Sequence, residues 1–339
     1  MSELAAHDVH CLEPLPLCLA FTDKGLLVVP SCDGGESRAA AGEGSALAVW
    51  TAADHSELRW QRFVSDALKS ERPLGVDQTN ESWILSDRAV IKWPLFATTS
   101  VSAEKELLLQ QAGFSQTPAL WGHLWWQATD ETQPLLVATV TEFIPDSVDG
   151  WTWAPDALTN QHIGWATTLG QLAADMHSAL RVGRAATYMS GEAPVAVLDG
   201  TETQLVHGDF HLGQILRRGD DFYVIDFDGD PMKSVADNLH CKSVWTDVAS
   251  MSSSIIHAGM VALKRGASVD AIYPAISEAR AAFLDAYILA SHKNPDRGVL
   301  SELVNQIEQR ELAYASQYLP RWLYAPEGAI KYLRTVGEL

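Results

Sequence analysis

The chain has 339 residues, 47% of them hydrophobic and 20% charged, which fits a globular protein of more than one packed unit rather than a fibrous or disordered chain. Its formal net charge of -19 works against nucleic-acid backbones and anionic lipid as partners and would suit a cationic small substrate. Four cysteines, at 11, 18, 32 and 241, form no C-x-x-C pair, so reduced thiols are expected. Met1 to His10 carries no basic cluster, and no apolar run reaches the roughly 18 residues of a membrane span. The expectation is a cytoplasmic protein that binds neither membrane nor nucleic acid.

In chain order, apolar runs around Asp23-Lys24-Gly25 predict a hairpin over Leu15 to Val29. A loop rich in Gly, Ser and Ala follows from Ser31 to Gly44, and apolar residues at helical spacing predict a helix over Leu58 to Leu68. Trp83 to Leu85, Ser86 to Arg88 and Ala89 to Trp93 read as strand, turn and strand. A helix over Glu104 to Gln111 is expected next, and then a strand from Leu135 to Phe143 that Pro145 ends. Beyond Trp151 the character changes. Leu169, Leu172, Met176 and Leu180 share one face of a helix expected over Gln161 to Leu180. Short strands and turns occupy 204–231, and helices are expected from Thr246 onward. The fold class is α+β, with a β-rich first part and a mainly helical second part.

The chemistry concentrates in His207-Gly208-Asp209-Phe210-His211-Leu212-Gly213-Gln214 and, after a polar turn, in Val224-Ile225-Asp226-Phe227-Asp228-Gly229-Asp230-Pro231. Phosphoryl transfer needs one carboxylate to orient the attacking hydroxyl and accept its proton, and another to hold a metal against the phosphate oxygens. Asp209 suits the first task and Asp226 the second, with Asp228 beside it. Gln214 supplies an amide oxygen of the kind magnesium accepts. His207 and His211, four residues apart, read as a metal pair or as groups that brace the loop.

These stretches resemble the catalytic loop and metal-binding motif of the aminoglycoside-phosphotransferase-like kinases. More narrowly, Gly213-Gln214 and Asp226 to Pro231 resemble maltokinases and the related glucosamine kinases of actinobacteria. The resemblance implies a two-lobed protein-kinase-like fold with an N-terminal β-rich cap over 1–72. A nucleotide-binding part would cover 73–145, and a helical part with the catalytic loop and acceptor site 146–339. It implies ATP and Mg2+ as cofactors. Lys92, at the end of a predicted strand, would hold the α and β phosphates, although a lone strand-end lysine reads the same way. Glu104 would fix Lys92, with Glu106 as the alternative. The polar turn with Gln78, Asn80 and Ser82 would cap phosphates, or is only a turn. Glu142 and Ile144 would meet the adenine through their main chain, and Asp247 would support the catalytic loop.

The acceptor is read from the far end of the chain. Arg310-Glu311-Leu312-Ala313-Tyr314-Ala315 and Leu319-Pro320-Arg321-Trp322-Leu323-Tyr324-Ala325-Pro326 resemble the tail of actinobacterial glucosamine kinases. With Asp209 and His211, the residues Arg310, Glu311, Tyr314, Arg321 and Trp322 would bind an amino sugar. The resemblance implies transfer to the 6-hydroxyl of glucosamine. The alternatives are a maltokinase, an aminoglycoside phosphotransferase and a non-catalytic pseudokinase.

Overall fold

The computed structural model describes residues 8–23, 25–30, 44–52, 55–75, 81–97, 101–129, 132–181, 196–198, 201–229 and 241–339. They fall into two compact units, one formed by 1–103 and 118–145, the other by 104–117 and 146–339.

In the first unit, β1 (Asp8–Cys11), β2 (Leu17–Thr22) and β3 (Gly25–Pro30) make an antiparallel meander. The expected hairpin is its second half. Cys11 and Cys18 face each other across β1 and β2 and form a disulfide, which corrects the expectation of reduced thiols at these two positions. Neighbouring antiparallel strands bring facing Cβ atoms within reach of such a bond.

A short helix, α1 (Ser45–Thr51), follows, and the Glu71 carboxylate accepts hydrogen bonds from Gly44 N and Leu47 N at its start. The main sheet is antiparallel, with strands β4 (Leu58–Arg62), β5 (Glu71–Pro73), β6 (Glu81–Leu85), β7 (Ala89–Trp93), β8 (Leu120–Trp126) and β9 (Leu135–Glu142). Their order is β4-β8-β9-β7-β6-β5. Leu58 to Leu68 is therefore no helix. Leu58 is buried, Trp60 packs beside the core, and the alternating Arg59 and Gln61 are exposed, so a period of two satisfied by pairing with β8 overrides the helical spacing. The β6–β7 turn carries Ser86 and Asp87 at φ 52°, the left-handed geometry that matches strand twist in tight hairpins. One core, with Trp50, Trp83, Trp93, Trp121 and Trp126, takes in both the meander and this sheet.

In the second unit the helices are α2 (Val101–Gln111, from Glu104 on), α3 (Gly150–Thr159), α4 (Gly164–Arg181), α5 (Trp245–Lys264), α6 (Val269–Ser291), α7 (Arg297–Tyr318) and α8 (Tyr324–Val336). Leu169, Leu172, Met176 and Leu180 of α4 share a core with Ile255 and Ile256 of α5 and with Ile276 and Phe283 of α6. The face predicted from their spacing is the one that is buried. Two strands, β10 (Val148–Asp149) and β11 (Ala196–Leu198), precede β12 (Thr201–Thr203), which pairs with β11. The hairpin β13 (Ile215–Arg218) and β14 (Asp221–Val224) pairs with β10 and carries the motif residues on the loops before and after it. Among the described residues no helix is long and apolar enough to cross a membrane.

Candidate active site

The loop before β13 and the one after β14 are locked together by their own main chain. Gly208 sits at φ 93°, where a side chain is disfavoured, and Asp226 at φ 64°, which carboxylates tolerate better than branched residues. His207 Nε2 donates to Ile225 O at 3.0 Å, while its Nδ1 accepts from Asp209 N at 3.3 Å. Burial pushes the His207 pKa down, so the neutral ring supplies one donor and one acceptor. Ile225 N closes the arrangement on Gln214 O at 3.0 Å.

Two buried charges hold this assembly from behind. Asp247, in the first turn of α5, accepts from His207 N at 2.7 Å, Gly208 N at 3.0 Å and His177 Nε2 at 3.0 Å. His177 Nδ1 in turn lies 2.9 Å from Tyr287 Oη. Burial raises the Asp247 pKa, but the hydrogen bond and charge of His177 outweigh it, leaving a net depression. The support expected of Asp247 thus comes from the first turn of the helix, whose cap is Val244. On the other side Lys105 of α2, 1% exposed, donates to His207 O at 2.7 Å and to Phe227 O at 3.2 Å. Burial pulls its pKa down to about 8, against the opposing charge of Asp247. Lys105 had no signal in the sequence beyond being a cation on a helix with Glu104 and Glu106, because its partners are backbone carbonyls.

The Asp209 carboxylate has its partner on its own loop. Its Oδ2 lies 3.5 Å from His211 Nε2, and His211 Nδ1 accepts from Gly213 N at 3.0 Å. Burial raises the Asp209 pKa, and the His211 hydrogen bond and charge more than reverse that, so it is an ionised carboxylate at neutral pH. From His211 an aromatic series runs outward. Its ring lies 5.7 Å from Trp151, Trp151 meets Trp322 edge-on at 5.6 Å, and Trp322 meets Tyr324 at 5.6 Å. Gly213 makes this possible, because a Cβ there would lie 2.8 Å from His211 Cε1 and press on the Trp151 indole. Arg310 is close enough for its charge to lower the Asp209 pKa, and Asp209 raises that of Glu311. The Arg310 and Glu311 side chains approach to 3.9 Å. Tyr314 stacks on Tyr318 at 5.2 Å, and Arg321 is exposed.

The remaining candidates divide between the units. Asp226 is half-buried, Asp228 exposed, and Gln214 ends the 3-10 turn Leu212–Gln214. Two carboxylates and an amide form the hard-oxygen donor set that magnesium prefers, so these residues fit that ion. Among the described residues no group of three His, Cys, Asp or Glu side chains stands ready as a metal cage. In the first unit Ser82 and Lys92 sit directly opposite each other on β6 and β7, with Thr139 of β9 next in the row. Glu142 ends β9 exposed, Ile144 is buried beyond it, and Gln78 and Asn80 lie outside the described residues. Glu104, in the second unit, is half-buried, and burial raises its pKa against the charge of Lys105. Sequence reasoning passed over Trp151 as a site residue, and it passed over Lys105 and His177 altogether.

No protein-family model matches the chain. It is 32% identical over 376 aligned positions to a glucosamine kinase of Mycolicibacterium smegmatis (strain ATCC 700084 / mc(2)155), covering 93% of this chain and 94% of that one. A glucosamine kinase of Streptacidiphilus jiangxiensis is 31% identical over 361 positions, 87% of this chain and 82% of the relative. Among solved structures, a glucosamine kinase in complex with glucosamine, ADP and inorganic phosphate has a TM-score of 0.72 at 26% identity, with 98% of this chain and 94% of that chain covered. A second crystal form reaches a TM-score of 0.77 at the same identity and coverage. The α+β arrangement is the kinase-like fold of those structures.

Proposed function

The chain belongs to the glucosamine kinase family, and we propose that it works in the cytoplasm, moving the γ-phosphoryl group of ATP to the 6-hydroxyl of D-glucosamine. The observation that carries this reading is the likeness to glucosamine kinases over 93% and 87% of this chain, and the loop carboxylate Asp209 beside His211 supplies the group the chemistry needs.

Asp209 orients the acceptor hydroxyl and takes its proton as the sugar oxygen bonds to the γ-phosphorus and the bond to the ADP oxygen breaks. A depressed carboxylate pKa suits this task, because the loose transition state of phosphoryl transfer asks more for positioning than for a strong base. His211 keeps Asp209 in place. Glu311 receives the sugar ammonium, Arg310 and Arg321 its hydroxyls, and Trp322 and Tyr314 supply aromatic surface for its C–H face. Lys92 steadies the α and β phosphates. Gln78, Asn80 and Ser82 cap the phosphates, and the main chain at Glu142 and Ile144 receives the adenine. Magnesium would be held by Gln214, Asp226 and Asp228, and when bound it neutralises charge on the phosphate oxygens.

The test is ADP release by the wild type and by Asp209→Asn across glucosamine, N-acetylglucosamine, glucose, maltose and kanamycin. Glucosamine should give the highest kcat/KM. Asp209→Asn should lose turnover by about a thousandfold while still binding ATP. Preference for maltose or kanamycin would replace the acceptor assignment, and wild-type turnover by the variant would remove Asp209 as the base.

A further inference from the structure

Beneath Trp322 lies a buried polar pair that the chemistry above leaves unused. Glu308 of α7 has no exposed surface, accepts a hydrogen bond from Ser253 Oγ at 2.5 Å and lies 2.8 Å from His257 Nε2. Ser253 and His257 are four residues apart on α5 and so present one face to it. The His257 ring meets Trp322 edge-on, with centroids 6.3 Å apart and an interplanar angle of 90°. Glu308 also precedes Glu311 by three residues, which places both carboxylates on neighbouring turns of the same helix face. The pair therefore bears on two of the residues assigned to the sugar, on Trp322 by ring packing and on Glu311 along the helix.

A carboxylate sealed from water is retained only when its partners are charged or donate to it. Here both conditions hold. Burial lowers the His257 pKa, and the Glu308 charge and hydrogen bond outweigh burial, leaving it above the ordinary imidazole value. Among the described residues the charges acting on His257 are those of Glu308 and Glu311, both from α7, and the turn Pro320–Trp322 brings its indole against the ring. Burial raises the Glu311 pKa, and the charge of His257, with that of Arg310, works in the opposite direction. A cation fixed behind Glu311 favours its ionised form, the form that pairs with an ammonium group.

We infer that the His257–Glu308 pair is a positioning device for acceptor specificity, holding Trp322 and Glu311 in the arrangement that receives a cationic amino sugar. The inference rests on reading Arg310 to Trp322 as the acceptor site. It assigns His257 and Glu308 no contact with the reacting atoms, so their loss acts on acceptor binding and not on the chemical step.

The test compares His257→Gln, Glu308→Gln and the milder Ser253→Ala, each checked for an intact thermal transition. For His257→Gln and Glu308→Gln the KM for glucosamine should rise about tenfold, with kcat and the KM for ATP within about twofold of wild type. Ser253→Ala should raise the glucosamine KM by a factor of about two to three. In His257→Gln the acid limb of the glucosamine kcat/KM profile should also move toward neutrality, because Glu311 loses its counter-charge. A folded variant with a wild-type glucosamine KM overturns the inference. So does a fall in kcat with both KM values moved together, the mark of a structural pair only. If the wild type itself does not turn over glucosamine, the functional reading fails and takes this inference with it. Wild-type turnover with unchanged variants defeats the inference alone.

Discussion

The catalytic loop and the acceptor end of the second unit are built on opposite plans. Around Asp209 the supports bind backbone: Asp247 holds the amides of His207 and Gly208, and Lys105 holds the carbonyls of His207 and Phe227. Around Trp322 the supports are side chains meeting side chains, with Trp151, His257 and Tyr324 arriving from different elements. Backbone clamps tolerate any side chain that leaves the loop geometry alone, so the phosphoryl-transfer loop can stay constant. A ring-on-ring acceptor wall changes shape with every substitution. On the function proposed above, the difference would separate a part that serves rate from a part that serves choice of substrate, and each should fail in its own way.

The largest effect is expected where a clamp is buried and charged. Asp247→Asn keeps the size of the side chain but sets an NH2 group against donors that now meet a carboxylate oxygen. It should cost on the order of 3 kcal/mol of stability and lower kcat by about a hundredfold, with the glucosamine KM little changed. The depressed Asp247 pKa gives this loss a pH signature. Because the folded value lies below the unfolded one, the carboxylate contributes stability above the unfolded pKa and loses it as pH falls through the folded one. Denaturant titrations should therefore show a gap between wild type and variant that is full at neutral pH and closes in strong acid. A gap independent of pH would mean that Asp247 acts by packing alone.

A smaller effect should follow from the second clamp. Lys105→Met fills the site with an apolar chain of similar length and leaves two carbonyls without their donor. Relief of a buried charge offsets part of that cost, so stability should change by about 1 kcal/mol or less, while kcat falls by about tenfold. Steady-state kinetics with glucosamine and ATP varied separately would show this as a kcat effect. A rise in the glucosamine KM alone would erase the division between the two regions.

How much of this was readable in the chain follows the same division. Asp209, Gln214 and Asp226 lie within 18 residues of one another, and their placement on loops that flank a single hairpin was legible from pattern and spacing. Lys105 is 102 residues from His207 and bonds to carbonyls that every residue owns, so no residue pattern could name it. His257 and Glu308 are 51 apart and look like an ordinary helix histidine and glutamate until α5 and α7 pack. The helix expected over Leu58 to Leu68 fails for a related reason. Leu58 and Trp60 satisfy a period of two as well as any helical one, and only β8, some 60 residues on, decides between them.

Gly213 is the residue on which the comparison turns, because it belongs to the catalytic loop by sequence and to the acceptor wall by contact. It follows His211 by two residues and hydrogen-bonds to that ring, yet the space its missing Cβ leaves is filled by His211 and by the indole of Trp151. Its backbone is not among the positive-φ glycines, so alanine meets no conformational penalty there and the substitution reports on the rings alone. Gly213→Ala must push Trp151 outward, and Trp151 is in edge contact with Trp322. The expected result is a glucosamine KM raised by a factor of about three with kcat nearly unchanged, the smallest effect of the series. A dominant loss of kcat would show that the displacement travels instead through His211 to Asp209. The aromatic wall and the base would then be one mechanical unit, not two.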